Sequence, residues 1–266
     1  MPTALVNGAG LHYESRGEGP AILGIHGTPS SSALWLDAAA RLAEHGRCIV
    51  YDRRGFPGSD PPAPGARLDL DDHVADAAAL LHALTATPAL VVGRSTGGLV
   101  ALRLAQQHPG LVRGLVLLEP AVFPVHPAAR HWGAELRERV VAAVAADASR
   151  AGEAVFVEAL GQAGWDSLPG EVRAVMVAAG PAVLAELRGQ GLDLSADPWA
   201  PDDATLGAIK VPTLLVAAQD SPEPLRAVVD RLAAALPRAE HGAAAGGHLI
   251  DPAHPLVLDF IDRHTR

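Results

Sequence analysis

This sequence has few of the features that would tie it to metals, disulfides, nucleic acid or membranes. Its 266 residues include one cysteine, Cys48, so no intramolecular disulfide can form and zinc sites built on cysteine pairs are excluded. There is no Lys/Arg-rich run, and the net charge is −9, so neither nucleic acid nor an anionic membrane surface is an expected partner. No apolar run reaches the ~18 residues of a membrane span. The N-terminal stretch MPTALVNGAGLHYE lacks a basic segment and is broken at Asn7-Gly8, so it does not read as a signal peptide. A reducing, cytoplasmic location is therefore expected. No glycine loop for phosphate follows the first strand and no cluster of metal-ligating residues is visible, so the expectation is no cofactor and no metal. Internal repeats and low-complexity linkers are absent too. Oligomeric state has no signature here, and a homodimer is left open.

What is present is apolar. Hydrophobic residues make up 49% of the chain, enough for one large α/β domain with an insertion, or for two small domains. Residues 89–106 read ALVVGRSTGGLVALRLAQ. Ala89-Leu90-Val91-Val92 suits a strand buried on both faces, and a helical spacing follows at Leu99, Val100, Leu102 and Leu104. Between them stands Gly93-Arg94-Ser95-Thr96-Gly97, a G-x-S-x-G motif in the strand–turn–helix context that gives it meaning. The turn would hold up the Ser95 hydroxyl, and its glycines would let strand and helix approach without a Cβ clash. The helix start behind it offers free N–H groups and a positive dipole end. A strand–helix turn that merely uses Ser and Gly is the plainer alternative.

Around this stretch, strands and helices alternate. Residues 4–6 and 11–14 flank Asn7-Gly8, a hairpin signal. Ala21–Ile25 reads as a buried strand ending in His26-Gly27-Thr28-Pro29. The serines at 30–32 can cap a helix running to about residue 44. Residues 48–51 form the next strand and lead into the charged Gly/Pro loop 52–60, read as shaping the sheet edge. Helical spacing covers 69–84, and Val112–Leu118 is a strand. The pattern implies a mostly parallel sheet covered on both faces, with the site outside the carboxyl ends of its strands. From 121 to 207 the alternation gives way to Ala-rich helical sequence. Most aromatics there (Phe123, Trp132, Phe156, Trp165, Trp199), with Met176, are expected to pack the insertion on the core, the rest to line an apolar pocket. Alternation resumes with a strand over 211–218, a helix over 224–236, a weak strand over 239–245, the loop Gly246-Gly247-His248-Leu249 and a last helix over 255–264.

A serine hydroxyl is a poor nucleophile near neutral pH and needs a base and oxyanion donors. Imidazole titrates in the right range. His248 is the strongest candidate, because it follows a Gly-Gly loop after the last strand, at the same sheet edge as Ser95. His12, His45, His73, His82, His108, His241 and His264 are read as surface or core residues, and His254 as a helix cap.

These residues and their order identify the chain as resembling the α/β-hydrolase superfamily. The marks are His26-Gly27-Thr28-Pro29, Asp52-Arg53-Arg54-Gly55, the Ser95 elbow and Gly247-His248. The resemblance implies an α/β-hydrolase core over 1–120 and 208–266 with a helical cap over 121–207. It also implies an oxyanion hole from the N–H groups of Thr28 and Thr96. Family members commonly carry the triad acid just after the strand that here reads VPTLL. Ser221 occupies that position and Asp220 lies one residue early. A second known location directly follows the preceding strand, where Glu119 stands after four apolar residues. Carboxylates avoid such places unless paired. Glu119 is favoured and Asp220 is the alternative. Arg94 is read as a surface or supporting residue, with pairing to a carboxylate as the other option.

The expected activity is a serine hydrolase cleaving a carboxylic ester or lactone of an apolar small molecule. Cofactor-free haloperoxidase or perhydrolase chemistry and C–C bond hydrolysis could use the same triad. Epoxide hydrolases and haloalkane dehalogenases carry aspartate where Ser95 stands, which disfavours both. A non-hydrolytic receptor or tailoring cyclase is the reading from another class.

Overall fold

A computed structural model describes residues 2–265. Among them the strands form one eight-stranded sheet: β1 (Thr3–Val6), β2 (Ala9–Arg16), β3 (Ala21–Ile25), β4 (Arg47–Tyr51), β5 (Ala89–Arg94), β6 (Val112–Leu118), β7 (Thr213–Ala218) and β8 (Ala239–Ala244), in the order 1-2-4-3-5-6-7-8. The two N-terminal strands are antiparallel, and β3 to β8 all run parallel. The sheet is mostly parallel, as the alternation of strands and helices implied. Asn7 and Gly8 both take positive φ (48° and 75°) at the first hairpin, as the type I′ turn requires.

Successive residues of the central strands serve opposite faces of the sheet. Ala89 and Val91 join one core with α2 (Leu70–Ala83), α3 (Thr96–Gln107) and α10 (Glu223–Ala235). Leu90 and Val92 join the other, with α1 (Leu36–Leu42) and α11 (Pro255–Thr265). This explains the near-continuous apolar runs, since a strand covered by helices on both sides has no polar face to show. The helix expected from the serine cluster begins as a 3-10 turn at Ser32–Trp35, capped by Ser31, and becomes α1 only at Leu36.

Between β6 and β7 lie α4 (Pro127–Ala146), α5 (Ala151–Leu160), α6 (Gln162–Asp166), α7 (Gly170–Ala178), α8 (Gly180–Arg188) and α9 (Asp203–Ala208). The helices from α4 to α8 carry their own apolar clusters, one around Leu136, Val140, Val155 and Val183 and another around Phe156, Trp165 and Met176. Leu192 and Leu206, by contrast, bury in the core of the sheet itself.

The turn from β5 into α3 leaves no room for side chains at its glycines. A Cβ on Gly93 would lie 2.3 Å from the carbonyl oxygen of Gly97, and one on Gly97 would lie 2.1 Å from that of Ile25. Backbone cannot yield as a side chain can, so both positions demand glycine. Gly97→Ala is expected to cost about 1–3 kcal/mol or more of stability, read from the midpoint of a urea unfolding curve.

Candidate active site

The parallel arrangement brings the carboxyl ends of β3, β5, β6, β7 and β8 to one edge. Register aligns them: Arg94 pairs with Leu118, Leu118 with Val216, and Ala218 with Ala244. Ser95 and Glu119 therefore leave neighbouring strands side by side. The Ser95 N–H donates to the carbonyl of Leu118 at 3.0 Å, and that of Glu119 to Val216 at 3.0 Å. Both residues have positive φ, 55° for Ser95 and 42° for Glu119. Non-glycine residues enter that region rarely, and at a cost of about 1–3 kcal/mol each. Here the surrounding ladder holds both.

Glu119 is wholly buried, and its carboxylate is satisfied on both oxygens. Oε1 accepts the Ala218 N–H at 2.8 Å. Oε2 accepts the Ser221 hydroxyl at 2.8 Å and the His248 Nδ1–H at 2.6 Å. Ser221, at the position where the resemblance placed a triad acid, instead donates to the carboxylate that follows the neighbouring strand β6. Asp220 is exposed, and its main-chain N–H, rather than its side chain, ties the loop to Gly246 at 2.9 Å. His248 comes to Glu119 through the Gly-Gly loop after β8, and its imidazole lines one cavity together with Ser95.

That cavity is also lined by Thr28, Phe123, Trp132, Leu136, Phe156 and Met176. More of the insertion's large side chains face it than expected: Phe123, Trp132, Phe156 and Met176 do, whereas Trp165 packs beneath Phe156 and Trp199 lies under Arg103 against the core. The reason is that the insertion lies over the strand ends, so its inner face becomes a ceiling. Thr96 is the first residue of α3, and its N–H is among the free donors of that helix start. Thr28 comes close on the other side, since a Cβ on the preceding Gly27 would lie 3.0 Å from that of Ser95.

Two groups support the site, and the reading of the sequence reached each only in part. Arg94 is not on the surface: it is buried beside the Trp35 ring and its Nη1 donates to the carbonyl of Ile250 at 3.2 Å, joining the serine turn to the histidine loop. Burial lowers its pKa to about 10, against the opposing pull of Asp251. The second group centres on Arg53, which is fully buried and donates to Glu186 of α8 at 2.6 Å and to the hydroxyl of Thr28 at 2.5 Å. Glu186 also accepts from Thr28 at 2.8 Å and from His73 at 3.0 Å. Burial alone would raise the Glu186 pKa, but the charge of Arg53 and these hydrogen bonds hold it at about 2. His73 is lowered by burial and by Arg53. His26 is driven further down by the same two causes, so its Nε2 stays free to accept the Arg53 N–H at 3.1 Å. The loop after β4 thereby shapes the edge, as expected, but does so by anchoring α8. Only the charges of Arg53 and Glu186 were legible beforehand, since their sequence separation hides the pairing.

With this geometry in view, the relationships of the chain are clear. The sequence profile of the alpha/beta hydrolase fold matches residues 20–251, and the chain belongs to that family. It is 36% identical over 121 residues to the uncharacterized hydrolase YraK of Bacillus subtilis (strain 168), covering 46% of this chain and 45% of that protein. It is 39% identical over 123 residues to a non-heme chloroperoxidase of Streptomyces lividans, covering 45% and 44%. The matched segments therefore span about half the length of these relatives. Among solved structures, Est816, described as an N-acyl homoserine lactone degrading enzyme, superposes with a TM-score of 0.76 at 26% identity, over 98% of this chain and 99% of that one. No helix among the described residues is long and apolar enough to cross a membrane.

Glu186→Gln leaves Arg53 buried without its counter-charge, and should lower stability by about 3–5 kcal/mol. The pH dependence has a definite sign. The folded pKa of Glu186, about 2, lies below its ordinary 4.5, so its stabilisation is complete above pH 4.5 and is lost as pH falls toward 2. Thermal melts of the Gln variant should therefore show a flatter acid limb than wild type between those values.

Proposed function

We propose that this chain is a serine hydrolase that cleaves a carboxylic ester or lactone of an apolar small molecule through an acyl-enzyme. The observation that carries this reading is the 2.6 Å bond from His248 to the buried carboxylate of Glu119 at the wall of the cavity that Ser95 also lines. Glu119 accepts from Nδ1 and so fixes the tautomer that leaves Nε2 free as a base. Ser95 Oγ attacks the substrate carbonyl carbon as its proton passes to His248 Nε2. The oxygen of the tetrahedral intermediate is stabilised by the N–H groups of Thr28 and Thr96, in a cavity walled by apolar side chains that strengthen such hydrogen bonds. Collapse breaks the bond to the leaving alkoxide, which takes the proton from His248. Water, deprotonated by the same imidazole, then attacks the acyl group and releases the acid and Ser95. The helices over the cavity (the residue 121–207 insertion) act as a cap that excludes water and selects for apolar substrates. The likeness to Est816 favours lactones among the candidate substrates.

The similarity to a chloroperoxidase supports a second reading, in which hydrogen peroxide replaces water and the acyl-enzyme yields a peracid. Peracid formation from acetate and peroxide would separate the two.

A fluorophosphonate probe should label wild type at Ser95 and leave Ser95→Ala unlabelled. With p-nitrophenyl esters of increasing chain length and a set of lactones, Glu119→Gln should lose about 10⁴-fold in kcat. Asp220→Asn should stay near wild type. Loss of activity only in the Asp220 variant would move the acid to that residue and overturn the assignment of Glu119.

A further inference from the structure

The cavity holds one acidic side chain that the reaction above does not use. Asp193, in the segment between α8 and α9, lines the cavity with Ser95, Thr28 and His248, while its neighbours on the ceiling are apolar: Leu136, Val155, Phe156, Met176 and Leu194. It also borders, with Phe123, an outer cleft along α4, and so stands in the partition between solvent and the site. Among the described residues it has no ion-pair partner. Two hydroxyls border it: Thr96 Oγ1, beside the Asp193 carboxyl, and Ser30 Oγ, on the same cavity wall, which is buried and without a partner among the described residues.

Burial and the negative charge of Glu186 push the Asp193 carboxyl up to about 7, with Thr96 pulling the other way. A carboxylate in such surroundings is costly because it has no counter-charge beside it, and the Thr96 hydroxyl and its own main-chain N–H offset only part of that cost. The apolar wall supplies no further donor, so the complement must come from whatever enters the cavity. Thr96 adjoins Ser95 in sequence, which places this carboxyl close to the reacting centre.

We propose that Asp193 is a specificity-determining residue that selects acyl groups bearing a hydrogen-bond donor, a hydroxyl or an ammonium, near the scissile carbonyl. The inference rests on the serine-hydrolase reading and narrows its substrate class. The apolar wall takes the hydrocarbon part of the acyl chain, and Asp193 takes the donor. An acyl group without one leaves the carboxyl unpaired and gains nothing from it.

The test compares p-nitrophenyl butyrate with its 3-hydroxy and 3-amino derivatives, each rate divided by the rate of uncatalysed hydrolysis. Wild type should favour both donor-bearing esters in kcat/KM by about tenfold, the size of one hydrogen bond to a charged group. Asp193→Ala should bring both ratios to about one. Asp193→Asn keeps a neutral acceptor oxygen, so it should retain part of the hydroxyl preference and lose the ammonium preference, which separates the two donor sources. Ratios near one in wild type, or ratios unchanged in the Ala variant, overturn the inference. The wild-type ratios decide the matter alone should a variant fail to fold. Absence of both turnover and Ser95 labelling overturns the hydrolase reading beneath it, whereas equal turnover of all three esters overturns only the role of Asp193.

Discussion

A carboxylate buried to zero exposure keeps its charge only where hydrogen bonds replace the water it has lost, and in this protein Glu119 meets that condition with one donor each from three segments. The Ala218 N–H comes from β7, the Ser221 hydroxyl from the loop after it and the imidazole from the loop after β8. The same three bonds thus fix both loops and orient the histidine. Removing any one donor leaves a charge in a dry place. The positive φ of Glu119 is tolerated because its N–H and its neighbours are already committed to the ladder.

A second buried charge system lies behind Thr28, one of the residues that line the cavity. Arg53 joins the loop after β4 to His26, Gly27, Thr28 and Glu186, so the strand-end segment carrying Thr28 and the helical insertion share one ion pair. Such pairs add little net stability compared with well-packed apolar groups, but breaking one is costly. Its structural effect is positional: Thr28 is held at the edge of the cavity by its own side chain, leaving its main chain free. Arg94 makes a comparable tie between the serine turn and Ile250.

Much of the fold could be read along the chain. The apolar runs of β3, β5 and β6 and the spacing in α2 and α3 are local patterns, and local patterns fix strand and helix. The serine turn was legible because its residues form a short motif between a strand and a helix, although the demand on Gly97 comes from Ile25 of β3. The acid was harder, because Glu119 and Asp220 both lie at strand ends and linear order does not tell which of them faces the imidazole. Serine at 221 was a clue, since a hydroxyl where an acid is usual asks for an acid elsewhere. The pairing of Arg53 with Glu186, separated by 133 residues, left no trace in spacing.

The sequence by itself determined the elements, their alternation and the chemical types available at the strand ends, because periodicity, turn chemistry and residue identity act over a few neighbours. Only the tertiary structure decided which carboxylate meets His248, which aromatic side chains face the cavity and that Asp193 opens onto it without a counter-charge. Those outcomes depend on strand register and on how the insertion lies over the sheet edge. Both are set by packing between segments far apart in the chain, where no local rule reaches.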